Sequence, residues 1–473
     1  MVDIIFVNPP LTLEERYGKL AAGGSLLAPL GLVTLAAITR ANGWLTEIVD
    51  PAALKWTYEK TAEEIVSRSP KYIGITATTI AIHNAARLAS EIKKRRKDIV
   101  IINGGPHISS LPEDTLNRFP QFDIGVVGEG DVTIVELLKA LQESNSLREI
   151  EGLVIRDNGK VIRTSSRSLF SELDSLPYPA WDLLPFLPRY YRPAANCFYR
   201  LPSSGLVTSR GCPGKCTFCD RTISGNKLRM YSTKYLMNMV EHLYFNYGIR
   251  DMIFHDDNFI TFRTRLYEFC EMLRLKGFKL SWSCTARVDM VNPKLLKMMK
   301  QAGCWQIAYG IESGSQEILD FLRKGITLEQ IKDALRWTKE AGIINRGYFM
   351  IGVPNENIRT IRQTIDFLLK LELDDFHMSM FAPHPGTELI STIDKYGILD
   401  NDWRKFGGWH PVFIPRDLSK EKLVYYHKLA FRKFYLRPRI ILRYLFYIFS
   451  DYTNILKLFL GAKGLIRYIY ARQ

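Results

Sequence analysis

The chain has 473 residues, 47 % of them apolar and 24 % charged. That balance excludes wholesale disorder, and the length exceeds one ordinary core, so two or three domains are expected. The formal net charge of +15 is concentrated: from Ser419 onward twelve Lys and Arg face only Glu421 and Asp451, which argues for a local role of the tail and against a nucleic-acid partner.

The opening Met-Val-Asp-Ile-Ile-Phe-Val has no basic leader and no small-residue cleavage site, and the seven cysteines suit a reducing compartment. A cytoplasmic protein is expected. Over residues 1–140, short apolar runs at Ile4–Asn8, Leu45–Val49, Ile73–Thr76, Val100–Asn103 and Ile124–Val127 alternate with segments of helical spacing such as Ala85, Leu88, Ala89 and Ile92. Runs apolar on both faces read as buried parallel strands, and their alternation with helices predicts an α/β domain of flavodoxin or Rossmann type. Residues 141–200, with a hairpin around Asn158-Gly159 and a Pro-rich stretch ending at Trp181, are expected to form a linker.

From 201 to about 415 a second alternation begins. Its strands are predicted at Leu206–Ser209, Met252–His255, Leu280–Cys284, Gln306–Tyr309, Arg346–Ile351 and Phe376–Phe381. Asn292-Pro293 starts one helix, Thr327 and Gln330 form a capping box, and Gly303 and Gly342 close helices. Six strand–helix units describe a partial (β/α)6 barrel, in which chemistry belongs at the C-terminal strand ends. Residues 416–473, basic and rich in aromatics, are expected to be helical. They fit either an interfacial membrane contact or a terminal helix packed on the barrel.

Just after the first barrel strand, Cys212, Cys216 and Cys219 lie within eight positions. Three thiolates on a short loop can ligate three irons of a 4Fe–4S cubane and leave the fourth open. A structural zinc ion would ask for a fourth ligand, and the loop has none. Cys197, Cys270, Cys284 and Cys304 are scattered and read as small core residues. In the first domain, Thr76, Thr78 and Thr79, then Gly104, Gly105 and His107, then Gly128 and Glu129 occupy the strand-end loops. Small residues there let a large flat ligand approach the backbone, although ordinary turn chemistry explains any single loop.

Cys-x3-Cys-x-aromatic-Cys after a first barrel strand resembles the signature of the radical S-adenosylmethionine superfamily. The resemblance implies cleavage of S-adenosylmethionine by the cluster to give a 5′-deoxyadenosyl radical, fed by a reductant such as a flavodoxin or ferredoxin. It places Phe218 near adenine, Asp256 and Asp257 near the methionine amine, and Arg287 near its carboxylate. It places Glu312 and Ser313 near ribose and Gly352 beside adenine. Leu176–Trp181, Asn8-Pro9-Pro10 and Ala28–Leu32 further resemble the cobalamin-binding class of these enzymes, which includes methyltransferases and magnesium-protoporphyrin monomethyl ester cyclases. The likeness covers roughly residues 1–415, but no Asp-x-His-x-x-Gly segment supplies a histidine to cobalt.

The implied reaction is methylation of an unactivated carbon, or of a phosphinate phosphorus, on a small or lipid-like substrate. Radical cyclisation or rearrangement is the alternative within the family, and a non-catalytic iron–sulfur or corrinoid carrier the alternative outside it. The sequence names no further catalytic residue, and it does not identify the substrate.

Overall fold

The computed structural model describes residues 2–194, 196–443 and Tyr468. Ile4, Ile5, Phe6 and Val7 are each at most 2 % exposed, because the strand they form is covered by helices on both faces. This strand, β1 (Ile4–Val7), pairs in parallel with β2 (Thr46–Val49) and β3 (Tyr72–Thr76). Beyond β3 follow β4 (Val100–Gly104) and β5 (Ile124–Val126), giving the order β2-β1-β3-β4-β5. This is the flavodoxin-like winding, whose ligand crevice lies at the carboxyl ends beside β1 and β3. The helix Ile82–Arg95 buries the expected Ala85, Leu88, Ala89 and Ile92.

One boundary differs from expectation. The predicted hairpin, β6 (Leu153–Asp157) and β7 (Lys160–Arg163), does not float in a linker but pairs antiparallel with β5 and extends the first sheet to seven strands. Asn158 and Gly159 take the positive φ values, 47° and 78°, that a tight hairpin turn requires. The Pro-rich stretch that follows is also packed. The Ala180 amide donates to the Val33 carbonyl at 2.9 Å, the Tyr235 hydroxyl donates to the Leu176 carbonyl at 2.9 Å, and Trp181 is 1 % exposed.

The second sheet begins at β8 (Ser203–Leu206), three residues before the predicted start. A two-residue pair, β9 (Ser209–Arg210) with β10 (Arg229–Met230), then brackets the cysteine loop. The remaining strands are β11 (Asp251–Phe254), β12 (Ser281–Ala286), β13 (Cys304–Glu312), β14 (Ile344–Ile351) and β15 (Asp375–Met380). With β8 they form a parallel six-stranded sheet in chain order, a partial (β/α)6 barrel. Phe254, Phe259, Phe269 and Trp282 pack together in its core. The predicted caps are present at Asn292 and at Thr327 with Gln330.

A final antiparallel pair, β16 (Gly397–Leu399) and β17 (Phe413–Pro415), frames a loop that carries Trp403 back onto the first domain. The basic C-terminal region starts as the helix Lys420–Tyr435, which packs on β15. Phe431 and Phe434 meet Phe376, and His427 Nε2 lies 2.8 Å from the Met378 carbonyl oxygen. That stretch is a barrel cap. Residues 444–467 and 469–473 of the expected interfacial segment lie outside the described residues. No described helix is long and apolar enough to cross a membrane.

Candidate functional site

The cysteine loop is built from its base upward. Gly211 has φ +86°, and a Cβ there would stand 2.4 Å from the Lys227 carbonyl oxygen, so the loop closes only with glycine. Arg210 forks onto Asp131 at 2.7 and 3.0 Å. Arg229 donates to Glu129 at 2.7 Å and to the Phe170 carbonyl at 2.7 Å. Both arginines flank the loop while both acids belong to the first domain, so these buried ion pairs fasten the cysteine loop to the neighbouring sheet.

Within the loop, a Cβ on Gly214 would lie 3.3 Å from Cys212 Sγ and 3.9 Å from Cys216 Sγ; glycine leaves the space between those thiols clear. Cys216 is 5 % exposed and has Arg287 Nη1 at 4.0 Å. A hydrogen bond with Cys219, followed by the charges of Lys324 and Arg287, holds the Cys216 thiol down to about 6. Three thiols on one loop, with cations to offset thiolate charge, fit an iron–sulfur cluster. Among the described residues no three His, Cys, Asp or Glu side chains gather round one point. A mononuclear zinc site therefore lacks a ready ligand set, whereas a cubane takes its thiolates on separate irons.

The strand-end loops sort the predicted cofactor residues into two groups. After β11, side chains alternate: His255 and Asp257 are exposed, while Asp256 and Asn258 are buried. Asp256 is 2 % exposed and accepts from the Thr208 amide at 3.0 Å, the Thr208 hydroxyl at 2.9 Å and the Ser209 hydroxyl. It ties β8 to β11 and is consumed by that work; Asp257 is the acid left to face a cofactor. Arg287, expected near the methionine carboxylate, lies after β12 with its Nη1 4.0 Å from Cys216 Sγ.

After β13, Glu312 sits at φ +67° and accepts from Lys324 Nζ at 2.6 Å. A Cβ on Gly310 would fall 2.8 Å from that ammonium, so the glycine makes room for the pair. Lys324 also lies 5.6 Å from the centre of the Phe218 ring. Ser313 departs from expectation. It is 1 % exposed, and its hydroxyl meets the Thr364 hydroxyl at 3.0 Å and accepts from the Ser315 amide at 3.1 Å. Ser313→Ala is therefore expected to cost about 1 kcal/mol of stability and to leave the affinity for S-adenosylmethionine unchanged. Equilibrium dialysis showing a tenfold weakening would return Ser313 to the cofactor site.

Gly352, at φ +84°, keeps its place after β14. Its amide and that of Val353 donate to Glu356. Burial pushes the Glu356 carboxyl up to about 8. Between the ordinary glutamate value and about 8 the folded state keeps a proton that the unfolded chain has released, so stability falls as pH rises through that window. Glu356→Gln, which cannot ionise, is expected to flatten this fall. Urea titrations at about pH 5 and about pH 9 would test it; equal slopes for the two proteins would refute it.

On the first domain, a cavity of 410 Å³ lies between the two sheets. Thr76, Gly104, Gly105 and Gly128 border it from one side, and Leu206, Val207 and Tyr231 from the other. Cβ atoms at Gly104 and Gly128 would meet nothing within 4 Å, so these glycines leave an open, flat cradle of the kind a corrin asks for. Two expected contacts are overturned, and the carboxylate of a third is engaged elsewhere. His107 is fully buried, its ring centre 4.4 Å from that of Trp403, and burial pushes its imidazole down to about 3. Thr79 is buried with it, its hydroxyl 3.4 Å from His107 Nδ1. Glu129 reaches the cavity wall, but its carboxylate is taken up by Arg210, Arg229 and the Phe170 amide.

A second cavity, of 570 Å³, lies between the first domain, the cysteine loop and the ends of β14 and β15. Thr76 borders both cavities. Thr78 and Phe218 line the second, with Arg16, Met350, His377, His384 and Trp409. The last five, and Lys324, were not singled out from sequence. The alternation Asp375-Phe-His-Met-Ser-Met does place His377 and Ser379 on the face opposite Phe376 and Met378, whereas Arg16 lies in a helix of only five residues and Lys324 in an irregular segment, neither long enough to show a period.

Comparison with known proteins agrees with this geometry. Residues 206–368 match the family model of the radical SAM superfamily, and residues 20–138 match that of the B12 binding domain. The chain is 34 % identical to an uncharacterized methyltransferase of Pyrococcus horikoshii, over 99 % of each chain. It is 27 % identical to the anaerobic magnesium-protoporphyrin IX monomethyl ester cyclase of Cereibacter sphaeroides, covering 92 % of this chain and 71 % of that one. Among solved structures, the cobalamin-dependent S-adenosylmethionine radical enzyme OxsB with aqua-cobalamin and S-adenosylmethionine bound superposes with a TM-score of 0.74. It shares 19 % identity, covering 97 % of this chain and 72 % of that one. Two family models in the order of the two sheets, and a relative matching from end to end, establish that this chain belongs to the radical SAM superfamily, among the members that carry a B12 binding domain.

Proposed function

We propose that the chain is a cobalamin-dependent radical S-adenosylmethionine methyltransferase, acting on an unactivated carbon or phosphinate phosphorus of a small or lipid-like substrate. The observation that carries this reading is the meeting of the two cavities at Thr76, with Phe218 of the cysteine loop in the wall of the second. One substrate space thereby adjoins both candidate cofactor sites.

Cys212, Cys216 and Cys219 would hold the cluster. Asp257, Arg287 and the Glu312–Lys324 pair would face S-adenosylmethionine, and Gly104, Gly105 and Gly128 would lie against the corrin. When bound, these groups supply a hydrogen-abstracting 5′-deoxyadenosyl radical and a transferable methyl. The protein's own residues do the rest. Lys324 and Arg287 offset the charge of the thiolates. Phe218, Met350 and Phe381 present apolar surface that keeps water from the reacting carbon. Asp131 and Glu129, through Arg210 and Arg229, hold the cysteine loop against the first domain.

The test is anaerobic reconstitution with cluster and cobalamin, a one-electron reductant such as a flavodoxin or ferredoxin, and trideuteromethyl S-adenosylmethionine. Release of 5′-deoxyadenosine with a labelled product supports methyl transfer. The nucleoside with an unlabelled, oxidised product assigns the chain to cyclisation, which its likeness to the cyclase over most of its length favours as the second reading. An intact cluster that yields no nucleoside with any substrate tried counts against both and favours a carrier.

For the C-terminal region we propose a peripheral contact with anionic lipid, supported by exposed Leu436, Ile441 and Leu442 around Arg439. Leu442→Glu should reduce co-flotation with phosphatidylglycerol vesicles; unchanged flotation removes the idea.

A further inference from the structure

The second cavity has an unusual charge balance. Among the described residues no Asp or Glu lines it, and Arg16 is the one permanent cation in its wall. Arg16 has no ion pair with an acid among the described residues. The two histidines in the wall do not add charge: burial pushes His377 down to about 3 and lowers His384 as well. Most of the other lining residues are apolar, among them Met350, Met380, Phe381 and Phe406, and Asn8, Thr76, Thr78 and Ser379 add uncharged polar groups.

The backbone of Arg16 is held in place before anything binds, while its side chain is exposed. Its helix, Leu13–Tyr17, starts from a capping box between Thr12 and Glu15. A Cβ on Gly407 would come within 3.3 Å of the Arg16 carbonyl oxygen, so the segment rests directly on the loop between β16 and β17. The guanidinium lies 5.3 Å from the centre of the Tyr17 ring, and the Tyr17 hydroxyl is 2.6 Å from that of Ser25. A guanidinium in such a wall can receive an anion, because among the described residues its donors meet no carboxylate.

We propose that the second cavity takes a substrate carrying one anionic group, of carboxylate or phosphate type, on an otherwise uncharged apolar body, and that Arg16 selects it. This rests on the reading of that cavity as the substrate space. The volume of 570 Å³ is within the ordinary range for small-molecule sites. The anion belongs at Arg16, and the carbon to be attacked belongs along the wall that holds Phe218 and Thr76.

The test uses two probes of the same aromatic skeleton, anionic 8-anilinonaphthalene-1-sulfonate and neutral N-phenyl-1-naphthylamine, in equilibrium dialysis against the full-length reconstituted protein. Arg16→Gln is expected to weaken the sulfonate about tenfold and to leave the neutral probe within about twofold. Arg16→Lys should restore most of the sulfonate affinity. Ala382→Trp, which fills the cavity wall, should weaken both probes. Sulfonate binding that is indifferent to Arg16→Gln overturns the proposal, as does an equal loss of both probes in that variant. Formation of 5′-deoxyadenosine is followed in the same preparations. Its absence from the wild type would count against the enzymatic reading, while the dialysis comparison would still decide the anion site.

Discussion

Cys216→Ala is expected to purify folded but without cluster, and to form 5′-deoxyadenosine at a rate lower by on the order of 10³-fold or more. Of the three loop thiols it is the one enclosed by protein, at 5 % exposure, and both Arg287 and Lys324 act on it. Removing it leaves Cys212 and Cys219, two thiolates where an open-cornered cubane needs three. Iron and sulfide analysis after reconstitution, with the nucleoside assayed under dithionite, measures both consequences. Cys284→Ala is the control. That residue is 3 % exposed in the barrel core, and its loss should cost about 1 kcal/mol in stability without touching iron content. Full cluster loading in Cys216→Ala would remove the cysteine loop from the assignment.

Arg229→Met is expected to destabilise the protein by about 3 kcal/mol, with a loss of cluster loading out of proportion to that figure. The Arg229 and Glu129 side chains are 4 % and 6 % exposed, so truncating the cation leaves a buried carboxylate with only part of its compensation. Arg210 remains 3.2 Å from Glu129 but already serves Asp131. Arg229 also donates to the Ser224 carbonyl inside the cysteine loop at 3.0 Å. The substitution therefore loosens that loop and the contact between domains together. Urea unfolding followed by circular dichroism gives the stability term, and absorbance of the reconstituted cluster gives the other. A change below about 0.5 kcal/mol with normal loading would show the network to be ornamental.

The parallel strands of the first sheet were legible because that sheet is covered on two faces, so most of them read as short apolar runs, whereas β15 was legible as an alternation between a core face and a cavity face. The helix caps were legible because a capping side chain acts within three residues of its own position. What sequence could not resolve was direction. Asp256 and Asp257 are chemically equal neighbours, and only the turn after β11 decides that one is buried under Thr208 and Ser209 while the other is exposed. Glu312 and Ser313 divide in the same way, one toward Lys324 and one under the helix Ile358–Lys370. His107 was misplaced for the same reason: it stands in the right loop, but Trp403, almost 300 positions further on, covers it. The hairpin β6–β7 was visible as a hairpin, yet whether it floats or adds to a sheet depends on an edge that local residues do not describe. Arg16 and the Lys324–Glu312 pair arise from contacts between distant segments and leave no periodic trace.

The first cavity takes one wall from each domain: the ends of β3, β4 and β5 on one side, Leu206, Val207 and Tyr231 on the other. A ligand resting there touches both walls, so loosening the contact between the domains removes contacts from it and shortens its stay. The fasteners across that interface are buried, with side chains of Arg210, Arg229, Glu129 and Asp131 between 4 % and 15 % exposed, and buried pairs are little screened by salt. That share of the hold on a ligand should accordingly be nearly independent of ionic strength.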